Sequence, residues 1–188
     1  MIDFIIGIIA GYLLGAIPFG LILTKISGLG DVRNIGSGGT GATNVLRLGG
    51  FKMALLTMLL DLAKAAVAVW LFGIWAGVAA VIGHNYPVWL KFKGGKGFAA
   101  SGGFAIMVSP IFFGTCFAMW LIIALSFGYS SLAALIVLAI APILAFAVSA
   151  EFGLAVIVLA IMGFWRHREN IKRLAAGTES KIKWRRNG

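Results

Sequence analysis

FIIGIIAGYLLGAIPFGLIL, Phe4–Leu23, is an uncharged run of twenty residues. As a helix it would be about 30 Å long, the thickness of a bilayer's hydrocarbon core. A backbone in lipid finds no water, so its N–H and C=O groups must pair within the segment, and a helix does this. No basic segment precedes the run, it is long for a signal peptide, and no small-residue cleavage pattern follows. It reads as a retained helix. Six more apolar segments lie downstream: Met53–Phe72, Ile74–Leu90, Phe98–Val108, Ile111–Phe127, Ser131–Ser149 and Phe152–Trp165. Hydrophobic residues make up 61% of the 188, charged residues 12%, and the mean hydropathy is +1.01. The expectation is one compact domain of all-α integral membrane type with seven transmembrane helices.

The charges orient those spans. The net charge is +10, which in a soluble protein would suggest nucleic acid but here follows the excess of bases on cytoplasmic loops. With the N-terminus outside and the C-terminus cytoplasmic, Lys25, Arg33, Arg47 and Lys52 fall in the first inner loop. Lys91, Lys93 and Lys96 fall in the second, and the bases from Arg166 to Arg186 in the tail. Only Lys64 of the 16 Lys and Arg residues is left inside a span, while the outer segments carry Asp3 and Glu151. Reading Phe98–Phe127 as one span would move the basic tail outside, so a turn is expected at Ser109–Pro110, where proline resists helix continuation. Phe98–Val108 is then about 17 Å long and cannot cross alone. A short helix starting at depth directs free amides and its positive end at a ligand. Asp61 and Lys64, at i,i+3 in mid-span, share a helix face and can pair; a structural ion pair and a functional one both fit. Cys116, the single cysteine, reads as a packed small hydrophobe.

Three polar clusters stand out. The first is GSGGTGATNVLR, Gly36–Arg47. Gly36, Gly38, Gly39 and Gly41 permit conformations that expose successive amides to an anion. Ser37, Thr40 and Thr43 offer hydroxyls, Asn44 a donor and an acceptor, and Arg47 a fork of donors suited to phosphate. A short helix starting at Ala42 would put Thr43 and Arg47 at i,i+4. The second is GHNYPVWLKFKGGKGFAASGG, Gly83–Gly103. Lys93, Gly94, Gly95, Lys96 and Gly97 have the composition of a phosphate cradle. Gly97 stands where a nucleotide-binding P-loop needs Ser or Thr, so nucleotide hydrolysis is not expected. His84 suits either a structural or a proton-handling role. The third is RHRENIKRLAAGTE, Arg166–Glu179, a basic amphipathic segment whose Ile171 and Leu174 suit the membrane interface. His167, Asn170 and Glu179 exceed what an anchor needs and suggest a third wall of the same site.

In those motifs and their order, the chain resembles the bacterial acyl-phosphate-dependent glycerol-3-phosphate acyltransferases, the PlsY family, over its whole length. It departs at Gly39-Thr40, where the family commonly has Asn-Pro. The resemblance implies transfer of a fatty acyl group from acyl phosphate to the sn-1 hydroxyl of glycerol-3-phosphate, giving lysophosphatidate and phosphate. It implies catalytic roles for Ser37, Arg47, Lys96, His167 and Asn170. Substrate contacts are implied for Gly38, Thr40, Gly41, Thr43, Asn44, His84, Lys93, Gly94, Gly95, Gly97, Arg168 and Glu179. The amides of Gly94, Gly95 and Gly97 are expected to help Lys96 neutralise the donor, and Glu179 to brace the site. It further implies the bacterial inner membrane, an active site on the cytoplasmic face, membrane lipid and the acyl-phosphate-producing enzyme as partners, and no cofactor, metal or nucleic acid.

A His-x4-Asp dyad of the soluble-type acyltransferases is absent: the residue five beyond His84 is Trp89, and five beyond His167 is Lys172. Acyl phosphate is already activated, so positioning and charge neutralisation can suffice, with a substrate phosphate oxygen taking the hydroxyl proton. A transporter or channel for organic phosphates would use the same donors but needs a polar path to the outer side, whose loops are short. A lipid-binding scaffold would not need Asn44, His84 or the Gly-Gly-Lys-Gly turn.

Overall fold

The computed structural model describes residues 1–36 and 38–182. All regular structure among the described residues is helical: α1 (Ile2–Gly15), α2 (Phe19–Ile26), α3 (Ala42–Phe72), α4 (Ile74–Asn85), α5 (Phe98–Val108), α6 (Pro110–Phe127), α7 (Ser130–Phe146), α8 (Ala150–Arg166) and α9 (Arg168–Ala175). The helices gather into two compact units, Met1–Val108 and Ser109–Gly188.

The first apolar run is not one helix. Pro18 lacks an N–H and disfavours helical geometry at the preceding residue. α1 therefore stops at Gly15 and α2 begins at Phe19. The third segment is also shorter than expected. α4 ends at Asn85 before Pro87, and Val88–Leu90 is a separate 3₁₀ turn. α3 starts at Ala42, well before Met53, and bends at Gly50, whose φ is 73°. By length and composition, Ile2–Ile26, α3 and α6 are sufficient to cross a membrane. α8 joins them if it is counted with α9 across a 56° bend, while α5 and α7 are shorter apolar helices. Ser109 and Pro110 do separate α5 from α6: the Ser109 side chain caps α6 by accepting the Phe112 N–H at 3.2 Å, with proline in the first turn.

In the first unit α3 packs against α1, α2, α4 and α5, and α1 also packs against α4. Small residues bring the backbones together, as helix pairs in lipid require. Gly11 and Gly15 of α1 lie on the carbonyls of Ala76 and Ala80 in α4, and Gly103 of α5 on that of Leu62 in α3. In the second unit α7 packs between α6 and α8, and α9 follows α8.

A side chain at Gly15 has no space against the α4 backbone. Gly15→Leu should destabilise the first unit by about 1–3 kcal/mol. Thermal unfolding in detergent would show a lower midpoint; an unchanged midpoint would contradict the packing described.

Candidate active site

The first polar loop is built on the Asn44 amide. Asn44 is 2% exposed, and its Nδ2 donates to the carbonyls of Val32 at 2.8 Å, Ile35 at 3.1 Å and Gly39 at 2.9 Å. Its Oδ1 accepts from Arg47 Nη1 at 3.2 Å. One buried side chain thereby gathers the turn before α3 and sets the direction of an otherwise exposed guanidinium. Gly36, at φ 52°, lies beneath this pair: a Cβ there would collide with Asn44 Oδ1 and lie 2.7 Å from Arg47 Nη1. Gly20 of α2 admits the Thr40 carbonyl in the same way. Thr40 is buried; Gly38 and Thr43 are exposed. Ser37 lies outside the described residues. Arg33, a nearby base, is taken up by Asp31, its Nη2 2.6 Å from Asp31 Oδ2. Hydrogen bonding from Arg33 holds the Asp31 carboxyl down to about 2.

The second loop folds back on the end of α4. Lys91 and Phe92 both have positive φ, 51° and 62°, an uncommon conformation for residues with a Cβ. The tight turn returns the chain so that the Gly94 N–H donates to the Asn85 carbonyl and the Gly95 N–H to the His84 carbonyl, each at 3.1 Å. These two amides hold the loop to α4. The glycines are needed for close approach. A Cβ at Gly94 would strike the His84 carbonyl, and one at Gly95 the His84 ring. Gly97, at φ 82°, lies 2.7 Å by its Cβ position from Asn85 Oδ1. Asn85 itself is fully buried, and neither polar atom of its amide has a hydrogen-bond partner among the described residues. Lys93 is exposed and Lys96 half-buried.

Both loops rest on one apolar cluster. Leu21 of α2, Val32 and Val45 form it, and Leu90 of the second loop packs on it with Leu48 and Met53. The first and second motifs are therefore neighbours within the first unit.

Below them lies a group that the sequence did not assemble. Asp61 and Lys64 pair at 2.8 Å, both almost fully buried. His84 of α4 joins them, with Nδ1 3.3 Å from the same Asp61 Oδ1. A carboxylate only accepts, so this geometry requires the proton on His84 Nδ1. Lys64 Nζ also donates to the Ile17 carbonyl at 3.0 Å, beside the break made by Pro18, and lies 5.8 Å from the Phe19 ring centroid. His84 thus has a carboxylate partner after all, from another helix and not from a linear motif.

The third motif lies in the second unit. Glu179 Oε1 accepts from Ser131 Oγ at 2.8 Å and Asn170 Nδ2 at 2.7 Å; its Oε2 accepts from Arg173 Nε at 2.7 Å. His167 Nδ1 lies 2.8 Å from the Gly163 carbonyl, which places its proton on Nδ1. His167 and Asn170 are buried; Arg168 is exposed and lies 5.0 Å from the Trp165 ring centroid. Residues after α9 dock on the α6–α7 turn through the Ile182 N–H to the Gly128 carbonyl, 2.7 Å. Among the described residues no group of His, Cys, Asp or Glu assembles as a metal site.

The family description Glycerol-3-phosphate acyltransferase matches residues 5–177. The chain belongs to this acyltransferase family. A glycerol-3-phosphate acyltransferase of Rhizobium etli is 49% identical over 183 residues, covering 93% of this chain and 89% of that one. One from Paramagnetospirillum magneticum is 47% identical over 193 residues, covering 97% and 95%. The crystal structure of PlsY, an integral membrane glycerol 3-phosphate acyltransferase, in its glycerol 3-phosphate form superposes with a TM-score of 0.88 at 40% identity, covering 96% of both chains. The lysophosphatidic acid form gives 0.86 at 38%, covering 96% of this chain and 95% of that one. This acyltransferase is accordingly a multi-pass membrane enzyme acting on glycerol-3-phosphate.

Burial of Glu179 works to raise its pKa, but hydrogen bonds from Ser131, Asn170 and Arg173, with the Arg173 charge, hold it below the ordinary 4.5. A depressed carboxylate stabilises the fold fully above its unfolded value and loses that contribution as pH falls through the folded value. Protection of the Ile182 amide from hydrogen exchange should therefore hold from neutral pH down to about 5 and decline below 4.5. Glu179→Gln should remove this dependence. An identical pH course in the two proteins would contradict the assignment.

Proposed function

We propose that this acyltransferase uses acyl phosphate as donor, on the cytoplasmic face of the bacterial inner membrane, through a seven-span arrangement with the N-terminus outside. The reading is carried by one observation: two glycine-rich basic loops share an apolar cluster, and Asn44 sets the exposed Arg47 beside them. Two phosphate-bearing substrates call for this supply of cations, and lipid suits the acyl chain.

In the reaction, the sn-1 hydroxyl oxygen attacks the acyl carbonyl carbon. The ester C–O bond forms, and the bond from carbon to phosphate oxygen breaks. Phosphate leaves with the electron pair, and one of its oxygens takes the hydroxyl proton. Arg47 and Ser37 hold the glycerol-3-phosphate phosphate, with Gly38, Thr40, Gly41 and Thr43 shaping that pocket. Lys96, helped by Lys93 and the Gly97 amide, stabilises the charge developing on the leaving phosphate. Asn44, Gly94 and Gly95 place these groups. In the second unit His167 and Asn170 contribute to turnover, with Arg168 at the membrane surface and Glu179 fixing Asn170. The enzyme that makes acyl phosphate is the working partner, and no cofactor is needed because the donor is already activated.

Purified protein in bilayer mimetic, given labelled acyl phosphate and glycerol-3-phosphate, should form lysophosphatidate, and acyl-CoA should not substitute. Arg47→Ala should raise KM for glycerol-3-phosphate and lower kcat/KM about a hundredfold, the loss expected for a charge-assisted bond of roughly 3 kcal/mol. Equal turnover with acyl-CoA, or an Arg47→Ala enzyme with ordinary kinetics, would refute the reading.

A further inference from the structure

We propose that Asp61 is a positioning residue for acyl transfer: it fixes the His84 ring, and through it the Gly95–Lys96 turn. The proposal rests on the reaction described above. If Asp61 and Lys64 only pinned helix rotation, their own contact would suffice. Asp61 Oδ1 does more: it takes both Lys64 Nζ at 2.8 Å and His84 Nδ1 at 3.3 Å. The imidazole so anchored has its Nε2 edge against Gly95, where a Cβ would collide with it. The backbone of His84 holds the same glycine, its carbonyl accepting the Gly95 N–H at 3.1 Å. Gly95 is thus gripped from two sides by one residue, and Lys96 is next in the chain. Lys64 in turn is held by the Ile17 carbonyl at 3.0 Å. A continuous path runs from the Pro18 break through Lys64, Asp61, His84 and Gly95 to Lys96.

All three titratable groups are nearly dry, with Asp61 2%, Lys64 5% and His84 6% exposed. At low dielectric such bonds are strong, and losing one member leaves the others uncompensated. Among the described residues Asp61 meets the candidate site at His84, and its effect on the reaction passes through that ring.

The experiment removes both charges together, which avoids stranding one of them. Asp61→Leu with Lys64→Met leaves His84 Nδ1 without an acceptor. Asp61→Asn with Lys64→Met keeps a carbonyl oxygen for it. In the acyl-phosphate assay the first double variant should lose about a hundredfold in kcat, the penalty for roughly 1 Å of misplacement. KM for glycerol-3-phosphate should stay within about threefold, since the loss falls in the transition state. The second double variant should recover most of kcat. A purely structural pair predicts equal kcat in both variants, and that result overturns the proposal; wild-type lysophosphatidate formation in parallel tests the reaction itself. If the first variant does not fold, the ¹⁵N spectrum of His84 in the wild-type protein decides. A proton on Nδ1 is expected, and a proton on Nε2 alone overturns the proposal.

Discussion

A buried cation in an apolar bundle must find an anion and further acceptors, and much of the first unit is arranged around that requirement. Lys64 is met by Asp61 and by the Ile17 carbonyl. That carbonyl is accessible because Pro18 interrupts the helix beside it. Asp61 then has a second donor, His84, and His84 holds the loop that carries Lys96. The break in α1–α2, the facing sides of α3 and α4, and the second polar loop are therefore one connected structure. The cost of leaving any member unpaired in a low-dielectric interior keeps it so.

The glycines of the two loops serve this arrangement more through space than through flexibility. Gly94 and Gly95 let backbone and imidazole come into contact, and their N–H groups are spent inside the loop. Gly36 serves the same end under Asn44 and Arg47. In the proposed reaction the side chains meet substrate: Arg47 directed by an amide that also ties three carbonyls, and Lys96 directed by the turn before it. A site of this kind handles phosphate by cations on a stiff support, which lowers the reorganisation needed as charge develops.

Much of this was legible in the residues. Phe98–Val108 is bounded as its sequence suggests, with Ser109–Pro110 closing it, and a helix does start at Ala42, though it runs on to Phe72 where a short one is expected. Phe4–Leu23 divides into two helices at Pro18, which hydropathy absorbs as one weak position while the backbone cannot. The composition of Lys93–Gly97 signalled an anion loop but could not tell which amides were already paired. The Asp61–His84 contact carried no linear signal: the residues lie on different helices, and only the crossing of α3 and α4 joins them. Charge at mid-span was the available hint, since such residues commonly face a partner inside the bundle.

The central claim is that substrate phosphate sits between the two loops of the first unit. Solid-state NMR in proteoliposomes tests it most directly, by measuring dipolar dephasing of ¹⁵N-labelled arginine and lysine side chains by the phosphorus of bound glycerol-3-phosphate and, separately, of a bound unreactive acyl phosphate analogue. The account predicts that glycerol-3-phosphate dephases one arginine signal and the acyl phosphate analogue one lysine signal, lost in Arg47→Lys and Lys96→Met proteins respectively. Dephasing that survives both substitutions would place the phosphate elsewhere and contradict the account.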